Sequence, residues 1–152
     1  MTMKPWHIIA GAMILGAIFM TVNRGPRGIR NNNPLNIERT NDRWQGMAEH
    51  QNDDRFLVFT DARYGYRAAA RIVSNYQARG LKTLAQIVST WAPSVENDTL
   101  SYINSVAKRA GIEPDQVVTD SEIVQLFEAM TWHENGEQPY SLDTIAEGVS
   151  WA

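Results

Sequence analysis

The chain contains no cysteine. A disulfide framework, a thiol nucleophile and a thiolate metal site are therefore excluded, while the cellular compartment stays open. Histidine is scarce, at three residues. His7 lies in an apolar stretch, His50 in a turn-rich region, and His133 begins HENGE, which opens like the zinc motif H-E-x-x-H. The fifth residue is Glu137 instead of histidine, and Gly136 breaks the helical register that such a motif needs. No metal and no cofactor is expected. The sequence lacks G-x-S-x-G or any other nucleophile elbow, so a Ser/His/Asp triad is unsupported. It also lacks a zinc finger, a phosphate-binding loop and a basic helix with heptads, and nucleic acid is not an expected partner. There are no internal repeats and no low-complexity tracts.

What is present suits one domain with a short extension: 152 residues, 43% hydrophobic and 20% charged. The net charge of −3 conceals an asymmetry, with eleven Lys/Arg against six Asp/Glu over residues 24–82 and two against eleven over 83–152. A basic first half suits a polyanion, although surface arginines are more often simply solvated. One apolar run stands out. Ile8–Val22 (IIAGAMILGAIFMTV) carries no charge between Lys4 and Arg24. Fifteen helical residues reach roughly 22 Å, slightly short of a hydrocarbon core. No small-x-small site follows it, so residues 1–23 are expected to be a retained membrane segment instead of a cleaved signal. Arg24, Arg27 and Arg30 behind it outweigh the amino group and Lys4, which by charge alone favours a cytoplasmic domain.

Residues 24–34 (RGPRGIRNNNP, preceding Leu35) read as a linker by composition. Trp44 and Gly46 mark a bend, and Arg55–Phe59 (RFLVF) is the clearest strand signal. The remainder is helical. Asp61 can cap a helix to about Arg79 ended by Gly80, with Ala68, Ala69 and Ala70 leaving room for close packing. Thr83 can cap a second to about Trp91, stopped by Pro93, and Asp98 a third to Ala110 with Gly111 beyond it. Ser141 can cap the last. Between them, Asp120 or Ser121 can start a helix that Gly136 closes. On that helix Ile123, Phe127, Met130 and Glu134 fall at i, i+4, i+7 and i+11, one stripe, so that a glutamate continues a line of apolar side chains at the carbonyl end. Apolar neighbours and the helix dipole both favour the protonated carboxyl there, the state a general acid needs. The competing expectation is a terminal glutamate that turns out to solvent.

Polar residues cluster at three helix ends. Asn36 with Trp44 and Gly46 is one group; Trp91, Glu96, Asn97, Thr99 and Tyr102 form a second; His133, Glu134, Gln138 and Tyr140 form a third. Rings beside carboxamides and a carboxyl suit carbohydrate, since rings stack on pyranose faces and amides bind hydroxyl and N-acetyl groups, although Trp and Tyr at helical spacing are also common core residues.

RGIRNNNPLNI, followed by W-Q-G, D-x-R-F, Y-G-Y-R-A, WAPSVENDT-x-x-Y and HENGEQPYS, resembles a family of small phage-encoded virion or lysis proteins whose suspected activity is peptidoglycan degradation. The resemblance covers about residue 27 to the end. Within it, the Glu134 segment is similar to the helix-terminal Glu-Ser-Gly of lytic transglycosylases and goose-type lysozymes, where the glutamate is the catalytic acid; Asn135 stands in place of the serine. ENDTLSYINSV resembles the segment that lines their sugar cleft, and Asn33–Ile37 with Trp44 and Gly46 resembles part of bacterial glucosaminidases. The acid comes last here and early in those enzymes, so the resemblance implies a circularly permuted arrangement.

The resemblance implies a mainly α, lysozyme-like domain with one small β element over residues 35–152. It would act on peptidoglycan as a lytic transglycosylase or muramidase at the MurNAc–GlcNAc β-1,4 bond, with N-acetylglucosaminidase as a third activity. Glu134 would be the acid, Glu96 the next candidate and Glu38 a distant third. Trp91, Asn97 and Tyr102 would wall the cleft, with Asn36, Thr99, His133, Gln138 and Tyr140 binding sugar. Gly- and Ala-rich anchors resemble the signal-anchor segments of some endolysins, which implies a domain facing the periplasm from the host inner membrane, or a place in the phage virion membrane beside other virion proteins. The alternative is a membrane-anchored virion protein that binds the wall or a partner without cleaving.

Overall fold

The computed structural model describes residues 25–93 and 96–152, without the side chains of Glu96 and Asn97. The expected membrane segment at 1–23 lies outside these residues, and no helix among the described ones is long and apolar enough to cross a membrane. The architecture is mainly α: α1 (Arg27–Arg30), α2 (Ala62–Ala78), α3 (Leu84–Trp91), α4 (Glu96–Ala110), α5 (Ile123–Asn135) and α6 (Leu142–Ser150). Local chemistry sets most of the boundaries. The Asp61 side chain accepts from the Arg63 N–H at the start of α2, Thr83 and Gln86 form a reciprocal capping box on α3, and Ser141 accepts from the Thr144 N–H on α6. Gly136, at φ +70°, takes the left-handed turn that ends α5.

α5 is the central element. Leu126, Phe127 and Met130 on it are fully buried, and Ile123 nearly so. The Tyr66 ring of α2 stacks on Phe127 at 6.3 Å, and its hydroxyl meets the Thr131 hydroxyl at 2.8 Å inside the core. Small residues let α2 approach its neighbours: Ala68 and Ala69 are buried, and at Gly148 of α6 a Cβ would stand 2.5 Å from the Arg63 carbonyl oxygen and 2.9 Å from Tyr66 Cβ.

Four boundaries differ from expectation. The Arg55–Phe59 strand is reduced to isolated antiparallel bridges, Glu38 to Phe56 and Met47 to Phe59, because side chains interrupt the ladder: Asp53 accepts the N–H groups of Arg55 and Phe56, and Gln51 that of Val58. Asp98 lies inside α4, which begins at Glu96. Neither Asp120 nor Ser121 caps α5; they lie in a short 3-10 turn, Asp120–Glu122, that leads into it and that Thr119 opens, with its N–H and hydroxyl both donating to the Glu122 carboxylate at 3.0 and 2.8 Å. The linker-like stretch is built into the body: Gly28, Asn31, Asn33 and Pro34 are buried.

Candidate active site

The asparagine run explains how a linker-like composition becomes a scaffold. Asn33, wholly buried, donates from Nδ2 to the carbonyls of Ile37 and Leu57, both at 2.9 Å, and accepts the Ile37 N–H at 2.9 Å. Asn31 donates to Asp53 at 2.8 Å, and Asn32, at φ +50°, donates to the Phe59 carbonyl. Asp53 also accepts from Arg27 Nε and Nη2, both at 2.7 Å, and from the N–H groups of Arg55 and Phe56. The Arg27 guanidinium, then these amides, hold its carboxyl well below the usual carboxylate range.

This scaffold delivers Asn36. Its backbone N–H bonds to the Asn33 carbonyl and its φ is +52°, a left-handed conformation that asparagine tolerates better than most residues. Its Nδ2 donates to Glu134 Oε2 at 2.9 Å across 98 residues of sequence. From α4, the buried Tyr102 donates its hydroxyl to Glu134 Oε1, also at 2.9 Å. Both carboxyl oxygens are thus fixed by neutral donors, and each keeps a second acceptor site. Burial first, then the neighbouring glutamate, push the Tyr102 phenol well above its ordinary value, so it remains an O–H donor through any physiological pH. The His133 ring lies parallel on Tyr102, with centroids 3.9 Å apart. Partial burial lowers its tendency to protonate, against the opposing pull of Glu134, so the imidazole is neutral at pH 7.

Asn135 ties the same helix end to the scaffold, donating to the Pro34 carbonyl at 2.7 Å and the Thr131 carbonyl at 2.9 Å. The carboxamide oxygens of Asn36 and Asn135 are buried with no hydrogen-bond partner. Both rest against Gly28, where a Cβ would lie 2.5 Å from Asn135 Oδ1 and 2.8 Å from Asn36 Oδ1. The Cα hydrogens of glycine offer these oxygens weak C–H···O contacts and leave the space they need.

Glu134, half-buried, lines an open cleft of about 620 Å³ with Asn36, Glu38, Arg55, Phe56, Tyr76, Thr90 and Trp91. Trp91 is anchored by its Nε1 donating to the Leu35 carbonyl at 3.2 Å. Glu38 is gripped by Arg55 through bonds of 3.0 and 2.7 Å to one oxygen, and the Arg55 and Arg27 guanidinium groups flank the Phe56 ring. Of the residues singled out by sequence, Asn36, Trp91 and Glu134 line the cleft, while Tyr102 and His133 stand behind the carboxyl. Thr99 is half-buried one turn before Tyr102 on α4. The Glu96 and Asn97 side chains fall outside the described residues. Gln138 and Tyr140 do not line the cleft: Gln138 closes a local turn by donating to the Tyr140 carbonyl and accepting its N–H, and the Tyr140 ring packs edge-on against Tyr66 at 5.8 Å. Gly28, Asn33, Asn135 and Phe56 were not singled out as site residues. The signal that marks the first two is an Arg-Gly-x-Arg run followed by three asparagines, residues that bond their own backbone and accept left-handed turns.

A mainly helical protein with a half-buried glutamate at a helix end in an open cleft is the class that these features define. The chain is 42% identical over 156 aligned positions to Protein P5 of Pseudoalteromonas phage PM2, with 98% of each chain covered, and it belongs to the family of that bacteriophage protein. No family model matches it.

Proposed function

We propose that the protein cleaves the MurNAc–GlcNAc β-1,4 bond of peptidoglycan, with a lysozyme-like domain and Glu134 as its general acid and base. The observation that carries this reading is the Glu134 carboxyl itself: at a helix end, half-buried at a cleft, and fixed at both oxygens by Asn36 and Tyr102. Three stretches that resemble wall-degrading enzymes, around Asn36, Tyr102 and Glu134, meet at that one group although they are far apart in sequence. In the reaction, Glu134 gives its proton to the glycosidic oxygen as the C1–O bond breaks and positive charge develops at C1. The C6 hydroxyl of the same muramic acid then attacks C1 and returns its proton to Glu134, closing a 1,6-anhydro ring. This route needs no second carboxylate. The other described carboxylate on the cleft, Glu38, is committed to Arg55, which favours the transglycosylase over a hydrolase that activates water. Relation to a phage protein and the apolar run at 8–22 fit a wall-degrading domain carried on a membrane, with peptidoglycan as partner.

Mass spectrometry of the soluble products that the full-length protein releases from purified sacculi tests the chemistry. Muropeptides one water lighter than their reducing-end counterparts are expected. Reducing MurNAc ends would make it a muramidase, and no products from a folded protein would contradict the proposal in favour of a virion component that binds without cleaving.

A further inference from the structure

Beside the Glu134 cleft lies a second open groove, of about 760 Å³, with arginine as its dominant charge. The two share Ile72 and Tyr76 as a common wall. Arg71 and Asn75 reach the groove from α2 at i and i+4, Arg79 joins them from the residue that caps the helix, and Arg43 with Trp44 also lines it from the turn after Thr40. Arginine usage elsewhere makes this groove unusual. Arg27, Arg55, Arg63 and Arg109 hold carboxylates, and Arg30, Arg39 and Arg67 donate to backbone carbonyls. Arg43, Arg71 and Arg79 alone among the described arginines have neither, although Arg79 rests over the Tyr76 ring at 5.6 Å. One acidic side chain, Asp42, shares the groove and accepts from the Thr40 hydroxyl, with the last residue, Ala152, also on its lining. Three unpaired guanidinium groups around one hollow are a site for a ligand with several carboxylates.

We propose that this groove binds the acidic peptide stem of peptidoglycan, so that the substrate is peptide-bearing glycan and not the bare sugar chain. The inference rests on the proposed cleavage at Glu134. A strand lying in that cleft carries, on the lactyl group of each muramic acid, a peptide that leaves the glycan sideways and bears free carboxylates on glutamate, diaminopimelate and terminal alanine. The shared Ile72–Tyr76 wall places the arginine groove where such a stem runs. Spaced guanidinium forks match spaced carboxylates, whereas a flat anionic lipid surface would meet them inside a hollow.

Two measurements with the full-length protein test it. In calorimetric titration with the soluble stem tetrapeptide L-Ala-γ-D-Glu-diaminopimelate-D-Ala, binding to the Glu134→Gln protein is expected to weaken about tenfold on adding Arg71→Glu and Arg79→Glu, and to weaken with added salt. On sacculi against strands stripped of their stems by an amidase, the ratio of cleavage rates is expected to exceed one and to fall toward one in the double variant. Arg43→Glu, on a turn outside the helix, gives the same readout if the α2 pair perturbs folding. A protein that cleaves sacculi but does not bind the tetrapeptide, or binds it equally well with the charges reversed, overturns the groove assignment while leaving the cleavage intact. Tetrapeptide binding that depends on the arginines, with no cleavage, sustains the groove and removes the catalytic reading. Arginine-dependent capture of phosphatidylglycerol vesicles without tetrapeptide binding overturns the proposal and assigns the groove to lipid.

Discussion

Glu134 is held from two directions by residues that carry no charge of their own. Tyr102 supplies one hydrogen bond from a buried phenol and Asn36 the other from a strained turn. Fixing the carboxyl before substrate arrives is what gives a general acid its geometry, since no reorganisation is then needed during proton transfer. Tyr102→Phe keeps the ring that stacks on His133 and removes only the donor. A hydrogen bond to a charged group is worth about 1.5–3 kcal/mol, so the expected result is a cleavage rate down by about 10- to 100-fold with the melting temperature lowered by several degrees and the protein still folded at assay temperature. Assays of soluble muropeptide release beside thermal denaturation check it; an unchanged rate would remove Tyr102 from the site. At this scale the sequence was informative about where Glu134 sits. The stripe Ile123, Phe127, Met130, Glu134 and the glycine after it placed a carboxyl at a helix end among apolar neighbours, and the structure has the three apolar members buried. Gln138 and Tyr140 share that short stretch of sequence as a carboxamide and a ring of the kind that suits sugar, but not its cleft. Proximity failed there because Gly136 turns the chain away, and Gln138 then spends both of its polar atoms on Tyr140.

Among the elements, the short α1 and its asparagine run carry the burden of assembly. Helix boundaries set by capping chemistry, at Asp61, Thr83, Ser141 and Gly136, are legible because the donor, the acceptor and the turn lie within a few residues of each other. The scaffold of residues 27–37 is not, because Asn33 bonds to Leu57 and Asn31 to Asp53, partners more than twenty residues away. Side chains also interrupt the ladder along 55–59: Asn33 takes the Leu57 carbonyl, Asp53 the N–H groups of Arg55 and Phe56, and Gln51 that of Val58. Gly28 is a tight point of this scaffold, with two unpaired carboxamide oxygens where its Cβ would stand. Gly28→Ala forces Asn36 and Asn135 apart and is expected to cost about 1–3 kcal/mol of stability, the usual penalty for overpacking. Because Asn36 then withdraws from Glu134, cleavage should fall further than the fraction of folded protein does. Chemical denaturation and activity measured on the same sample check this; a variant as stable and active as the wild type would show that the Gly28 contact is not needed.

For the whole molecule, the acidic side of the stability profile follows from two aspartates. Asp53 is held well below the usual carboxylate range by Arg27 and its amide partners, and Asp61 is brought down to about 2, first by the Arg63 side chain and then by the Arg63 N–H that it caps. Each is depressed in the folded state, so each contributes stability that is fully present above the unfolded value near 4 and is lost as pH falls toward the folded value. Melting temperature is therefore expected to fall steadily below about pH 4. Asp53→Asn should lower it at pH 7, by an amount on the order of 2 kcal/mol in stability, and the gap to wild type should narrow progressively as the pH drops from about 4 to 2. Melting curves from pH 2 to 7 read this directly, and a pH-independent gap would mean that Asp53 acts through shape and not through charge. The opposite charges of the two halves also gain a meaning at this scale. The acidic second half supplies Glu134, the proposed acid, and the basic first half supplies the arginines of the neighbouring groove.

The direct test of the proposed chemistry compares full-length wild type with Glu134→Gln for the initial rate of muropeptide release from purified sacculi, with thermal denaturation of both. Loss of a general acid should cut the rate by about a thousandfold while the melting temperature stays within a few degrees. Equal rates in two folded proteins would contradict the role given to Glu134, and with it the placement of the reaction at this cleft.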